Sequence, residues 1–100
     1  MSAASDAPAA DEAVVTIDTF DFQPDPVTVP AGTTLTFRNE DAIDHTVTAG
    51  TRARPTPDVF DGELPDQGAT FDLTLDEPGT YRYFCRIHPG PGMTGEVRVT

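Results

Sequence analysis

The chain contains no lysine. Its 6 basic residues are all arginines, set against 17 acidic ones, for a formal net charge of -11. The arginines are scattered, whereas phosphate binding needs Lys and Arg clustered on one surface. Nucleic acid and anionic membrane surfaces are therefore poor partners. The acidity itself admits three readings: a basic protein partner, a high-salt (halophilic) setting where screening relieves self-repulsion, or a coding composition that favours Asp, Ala and Arg over Lys. So large a charge of one sign also argues for a monomer. No apolar run approaches the roughly 18 residues of a membrane-spanning helix, so no membrane segment is expected. A single cysteine, Cys85, cannot close an intramolecular disulfide, so the redox compartment is not legible from pairing. It is buried filler, a reactive thiol or a metal ligand.

One hundred residues with a 37% hydrophobic fraction bound a single domain with one economical core. "MSAASDAPAADEA" (1–13) is small, polar and acidic, without the basic and apolar regions of an intact signal peptide. It reads as a disordered leader, and 14–100 as the folded domain. From Val14 the pattern becomes strand-like. Val15 and Ile17 alternate inward, followed by Phe20 or Phe22; then Val27 with Val29, and Leu35 with Phe37. "IDHTVTAG" is a further short strand with His45 and Val47 on one side. A long loop comes next, anchored by Val59, Phe60 and Leu64. Phe71, Leu73 and Leu75 alternate with Asp72 and Thr74, and the chain closes on Val97 and Val99. Turn signals separate these runs and no 3.6-residue period of useful length appears. The expected fold is all-β: a Greek-key sandwich of seven or eight strands with antiparallel connections.

The stretch "YRYFCRIHPGPGM" gathers the lone cysteine, one of two histidines and the only methionine besides Met1. Tyr81, Tyr83 and Cys85 alternate, so the thiol shares the face of the tyrosines at the end of a strand. Pro89, Gly90, Pro91 and Gly92 then favour a tight reversal that carries His88 and Met93 back towards the sulfur. His45, the other histidine, supplies a fourth donor from a neighbouring strand. Taken singly, a Cys is commonly a buried small hydrophobe, a His a solvated polar residue and a Met core filler. Together these four side chains are the set of a blue-copper centre: two imidazoles, a thiolate and a weak axial thioether. Thiolate and thioether favour Cu(I), while imidazole suits both oxidation states.

The segment "GTYRYFCRIHPGPGMTGEVRV" resembles the closing segment of the cupredoxins, the small type 1 blue copper proteins. "FRNEDAIDHTVTA" resembles their upstream histidine segment, and "VFDGELPDQGATFDLTLDEPG" the stretch between the two in halocyanin-like and plastocyanin-like members. The likeness covers about 14–100. It implies His45, Cys85 and His88 as equatorial ligands and Met93 as the axial one. Four residues separate His88 from Met93, a spacing similar to that of plastocyanin and pseudoazurin. Thr46 stands where many relatives have an asparagine that ties the ligand loops together; a threonine hydroxyl reaches less far, which bears on loop rigidity. The resemblance further implies an electron route through the edge of His88. Protein redox partners would dock on a patch containing His88, Pro89 and Pro91, with Pro55 or Pro57 beside it. It also implies an extracytoplasmic location. Tyr83 and Phe84 are expected as packing behind the site.

The function expected is that of an electron carrier with one copper ion, not an enzyme. A catalytic copper centre needs further histidines or an open coordination position, and both histidines are already used. Two alternatives stand beside this reading. One is a copper-binding domain or subunit of a larger redox enzyme. The other is a copper chaperone, for which one buried cysteine is a poor fit. Zinc also tolerates these ligands, though not a thioether by preference.

Overall fold

The structure, a computed structural model, describes residues 12–87 and 93–100. The segment expected as a leader, up to residue 11, and the segment holding His88, Pro89 and Pro91, expected as a tight reversal, lie outside the described residues. Among the described residues there are nine strands: β1 (Glu12–Ile17), β2 (Phe22–Gln23), β3 (Val27–Val29), β4 (Thr34–Asn39), β5 (His45–Ala49), β6 (Asp61–Leu64), β7 (Thr70–Thr74), β8 (Gly79–Phe84) and β9 (Thr94–Val99). They form two sheets, β2-β1-β4-β7 and β3-β9-β8-β5-β6. Two strands lie beyond the runs read from the sequence: the two-residue β2, too short to show alternation, and β6, which falls inside the segment expected as a long loop and pairs with β5. β1 also starts two residues ahead of the first strand-like position, at Glu12.

Two pairings depart from the antiparallel expectation. β1 runs parallel to β4, and β3 parallel to β9. Alternation of apolar residues reports which face a side chain takes but not which way a neighbouring strand runs. Parallel neighbours require a connection that leaves the sheet. Here β3, between β1 and β4 in sequence, belongs to the opposite sheet.

The inward faces meet in one core. Val15, Ile17, Leu35, Phe37 and Leu73 come from the first sheet; Val27, Val29, Val47, Leu64, Tyr83, Val97 and Val99 come from the second. Burying one such side chain contributes about 1.5–3 kcal/mol. Tyr83 sits at the centre, edge-to-face with Phe22 and Phe37 at centroid distances of 4.7 and 5.3 Å. These two contacts join the sheets. Phe22 is therefore the core residue, while Phe20 is 36% exposed. Val59 is 52% exposed and is no anchor; the buried residues of this segment are Phe60, just ahead of β6, and Leu64, within it. All five residues of β5 are buried, against the expected alternation. Thr46 and Thr48 are its outward residues, and hydrogen bonds satisfy them there.

The turn from β1 to β2 has an unusual backbone. Asp18 and Asp21 exchange backbone hydrogen bonds of 3.0 and 3.2 Å across Thr19 and Phe20. Both central residues have positive φ, 56° and 60°. That geometry normally calls for Asn-Gly or Asp-Gly. For residues with a Cβ it costs about 1–2 kcal/mol each, and it persists only where the surroundings enforce it.

Close approach explains two glycines. A Cβ on Gly62 would overlap the Phe71 ring across the sandwich, and one on Gly95 would overlap the Tyr83 phenol. Overpacking of this kind costs about 1–3 kcal/mol, and a domain of this size loses roughly 4–8 °C of melting temperature per kcal/mol. Gly62→Ala and Gly95→Ala are each expected to lower Tm by at least several degrees in a calorimetric scan. Unchanged melting in both would contradict this packing.

Candidate metal centre

Cys85 directly follows β8 and is fully buried. Its N–H donates to the Met93 carbonyl at 3.0 Å, one step beyond the Phe84–Thr94 pair that ends the β8–β9 ladder. Cys85 and Met93 therefore stand at the neck of the loop between these strands, and Met93 is 2% exposed. β5 pairs antiparallel with β8 through Thr48–Phe84 and Ala49–Tyr83. That register carries His45, the first residue of β5, past the end of β8 to the cysteine. His45 Nδ1 lies 3.8 Å from Cys85 Sγ, and both groups are buried. Of the four side chains singled out in the sequence, the structure brings His45 and Cys85 into contact and Met93 to the same neck. His88 lies outside the described residues.

The contact has the dimensions of a shared ion. Nitrogen and sulfur donors bound at about 2.0–2.3 Å to one metal stand roughly 3.5–4 Å apart when the angle between them is wide. The lone pair on His45 is also aimed correctly. Its Nε2 lies 2.8 Å from Asp41 Oδ2. A carboxylate accepts and does not donate, so Nε2 carries a proton, and in that tautomer of the ring the Nδ1 lone pair faces the sulfur. The Thr46 N–H approaches Cys85 Sγ at 3.4 Å, a donor that stabilises thiolate charge on a buried sulfur. This donor set suits copper: a soft sulfur beside an imidazole, both buried.

Thr46 ties the ligand segments together despite its short side chain. Its hydroxyl accepts the Arg86 N–H at 2.9 Å. It also lies 3.2 Å from Thr48 Oγ1, which in turn donates to Asp61 at 2.8 Å. Direction follows by elimination: Arg86 N–H to Thr46, Thr46 to Thr48, Thr48 to Asp61. The residue after His45 is thus bonded to the residue after Cys85. A longer side chain is unnecessary because β5 and the end of β8 lie one hydrogen bond apart. The Arg86 guanidinium closes the outside of this network on Asp61 and Glu63 at 3.4 and 3.2 Å. These are exposed pairs of small energetic weight.

On the other side, Arg52 donates to the Cys85 carbonyl at 3.0 Å and stacks over the Phe84 ring, 5.3 Å from its centroid. Phe84 is 3% exposed, a packed residue beneath that guanidinium. Pro55 and Pro57 are exposed on the adjoining loop, where Pro55 bridges Gly50.

Asp41 escaped the sequence reading. Its carboxylate accepts the N–H groups of Thr19 and Phe20 at 2.7 and 3.0 Å as well as the His45 imidazole. Burial is the largest single influence and favours its neutral form. The Phe20 and Thr19 donors and His45 outweigh it together and hold the carboxyl below its ordinary range. The only signal was the four-residue spacing in "DAIDH", and Asp44 in the same segment competes for it.

The family described as copper binding proteins, plastocyanin/azurin family, matches residues 9–100. The chain is 40% identical over 83 residues to a chloroplastic plastocyanin of Oryza sativa subsp. indica, covering 78% of this chain and 54% of that protein. A chloroplastic plastocyanin of Hordeum vulgare matches to the same extent, so the chain spans about half the length of these two relatives. Plastocyanin A/B of Petroselinum crispum is 37% identical over 87 residues, covering 78% of this chain and 86% of that protein. Among solved structures, a purple cupredoxin from Nitrosopumilus maritimus superposes with a TM-score of 0.77 at 26% identity, over 88% of this chain and 99% of that one. An oxidised amicyanin variant gives 0.74 at 28% identity, over 92% of this chain and 85% of that one.

The threonine tie is testable apart from any metal. Thr46→Val strands the part-buried Arg86 N–H, a loss of about 1–3 kcal/mol, whereas Thr46→Ser keeps the bond. The metal-free valine variant is expected to melt clearly below the serine variant. Equal melting would show that the hydroxyl ties nothing.

Proposed function

This chain belongs to the plastocyanin/azurin family of copper-binding proteins, and we propose that it is a mobile one-electron carrier whose single type 1 copper is held by His45, Cys85, His88 and Met93. The observation that carries this reading is the convergence of His45 Nδ1 and Cys85 Sγ at 3.8 Å in the protein interior. Copper, when bound, supplies a Cu(I)/Cu(II) couple that takes up and releases one electron. The protein's part is to keep the donors still. His45 is fixed at the start of β5, Cys85 is fixed by its own backbone bond to Met93, and Thr46 joins the two segments. A donor set that does not rearrange between oxidation states lets an electron pass with little reorganisation. Burial of the sulfur keeps out water and competing thiol chemistry.

The carrier role fits the inventory better than catalysis does, because both histidines of the chain are in the proposed ligand set. Burial of Cys85 argues against a chaperone, which must hand metal over at an accessible site. We place the docking face for protein redox partners around His88, Pro89 and Pro91, and assign the protein to an extracytoplasmic compartment as a monomer. A charge of -11 suits basic partners or a saline medium. The acidic segment ahead of β1 is assigned to a leader, and the chain from β1 onward to the copper domain.

The test is optical. Wild-type protein loaded with Cu(II) is expected to turn intensely blue and to bleach with ascorbate, reversibly. Cys85→Ser is expected to bind copper without that colour. A colourless wild type with copper demonstrably bound would remove the cysteine from the ligand set and the carrier reading with it.

A further inference from the structure

Two residues in a strained conformation demand an explanation. Thr19 and Phe20 both have positive φ, and neither is the glycine or asparagine that such a turn favours. What the turn achieves is specific. It points two successive N–H groups at one carboxylate, Thr19 at Asp41 Oδ1 and Phe20 at Asp41 Oδ2. Adjacent backbone donors converging in this way form a concavity that holds an anion. Asp41 is also fixed from its own side. Its N–H donates to Asn39 Oδ1 at 2.8 Å. Asn39 is fully buried and directs its amide group at the carbonyls of Ile43 and Leu64, at 2.7 and 3.1 Å. The segment between β4 and β5 is thereby folded around the carboxylate. Oδ2 also faces His45 Nε2, 2.8 Å away. Phe20 adds a wall, its ring edge-to-face with the imidazole at 5.3 Å.

We propose that Asp41 is a positioning residue for the metal centre: its carboxylate holds His45 in the Nε2–H tautomer, aims Nδ1 at the Cys85 sulfur, and makes the imidazole a stronger donor that favours Cu(II) over Cu(I). This rests on His45 being a copper ligand, as proposed above. A hydrogen bond from the far nitrogen of a ligating imidazole to an anion pushes electron density towards the ligating nitrogen. That added density benefits the doubly charged ion more than the singly charged one, so the effect is to lower the reduction potential. The Thr19–Phe20 turn holds the carboxylate stationary through its two N–H groups, and the strain persists where those bonds enforce it.

Two measurements decide it. In metal-free wild type, nitrogen-15 NMR of the His45 ring is expected to show a hydrogen-bonded Nε2–H and an unprotonated Nδ1. The opposite tautomer would overturn the proposal whatever the protein does with copper. In the copper-loaded protein, Asp41→Asn is expected to shift the Cu(II)-to-Cu(I) affinity ratio about tenfold towards Cu(I). That corresponds to a rise in potential of about 59 mV for a one-electron couple, with the blue colour retained. A purely structural Asp41 predicts lower melting with an unchanged potential, and that result would also overturn it. If Asp41→Asn does not fold, Asp41→Glu takes its place: it keeps the charge but moves the oxygens, so the potential should shift in the same direction by less. A wild type without blue colour would instead refute the copper reading, while the NMR result would still decide how Asp41 acts on His45.

Discussion

The hydrogen bonds between the start of β5 and the end of β8 hold the functional end of this molecule together. Thr46 gives its N–H to the Cys85 sulfur and takes the Arg86 N–H on its hydroxyl. His45 and Cys85 are 40 residues apart in sequence. Each lies just beyond the region where the two strands pair directly, since the β5–β8 ladder covers only Thr48–Phe84 and Ala49–Tyr83. Without side-chain and sulfur bonds, the strand ends would splay where the two donors stand 3.8 Å apart. The ladder sets the direction of approach; the threonine sets the distance.

Everything behind this end serves to keep those strands from moving. The core is small for its task, and its largest buried side chain, Tyr83, touches aromatic rings of the opposite sheet on two sides. Gly95 exists to admit that ring and Gly62 to admit Phe71. Close packing of this kind has low compressibility and transmits strain rather than absorbing it. A copper centre benefits from that property, because an electron moves most readily when the ligands need not. The strained Thr19–Phe20 turn serves the same end. It stands at one end of β1, whose parallel pairing with β4 brings Ile17 opposite Asn39 and so places the turn against the Asp41 segment. A local conformational cost is offset by a carboxylate anchored next to His45.

The acidic surface operates at another level. Exposed pairs such as Arg86 with Asp61 and Glu63 add little to stability. A net charge of -11 instead shapes encounter, solubility and response to salt. The chain thus separates two uses of charge. Surface carboxylates without a fixed partner act collectively and are interchangeable. Asp41, 15% exposed and triply bonded, acts singly and is not.

The sequence alone determined the class of fold, most of the core and the candidate ligand set. Inward residues at Val15, Ile17, Leu35, Phe37, Val97 and Val99 were legible because a strand alternates with period two wherever one face is buried. The ligand candidates were legible because thiol, imidazole and thioether are rare here and carry their affinities in their side chains. Tertiary structure alone decided the rest. Parallel pairing of β1 with β4 was invisible because side-chain period says nothing of strand direction. The burial of every residue in β5 was invisible because it depends on partners supplied by Asp61 and Arg86. Phe22 and Phe20 were indistinguishable until the turn at Thr19 and Phe20 placed one in the core and the other over His45. Asp41 was one acid among 17. What singles it out is that two N–H groups of the Thr19–Phe20 turn, more than 20 residues upstream, converge on it together with the His45 imidazole, and convergence of that kind is a property of the folded chain.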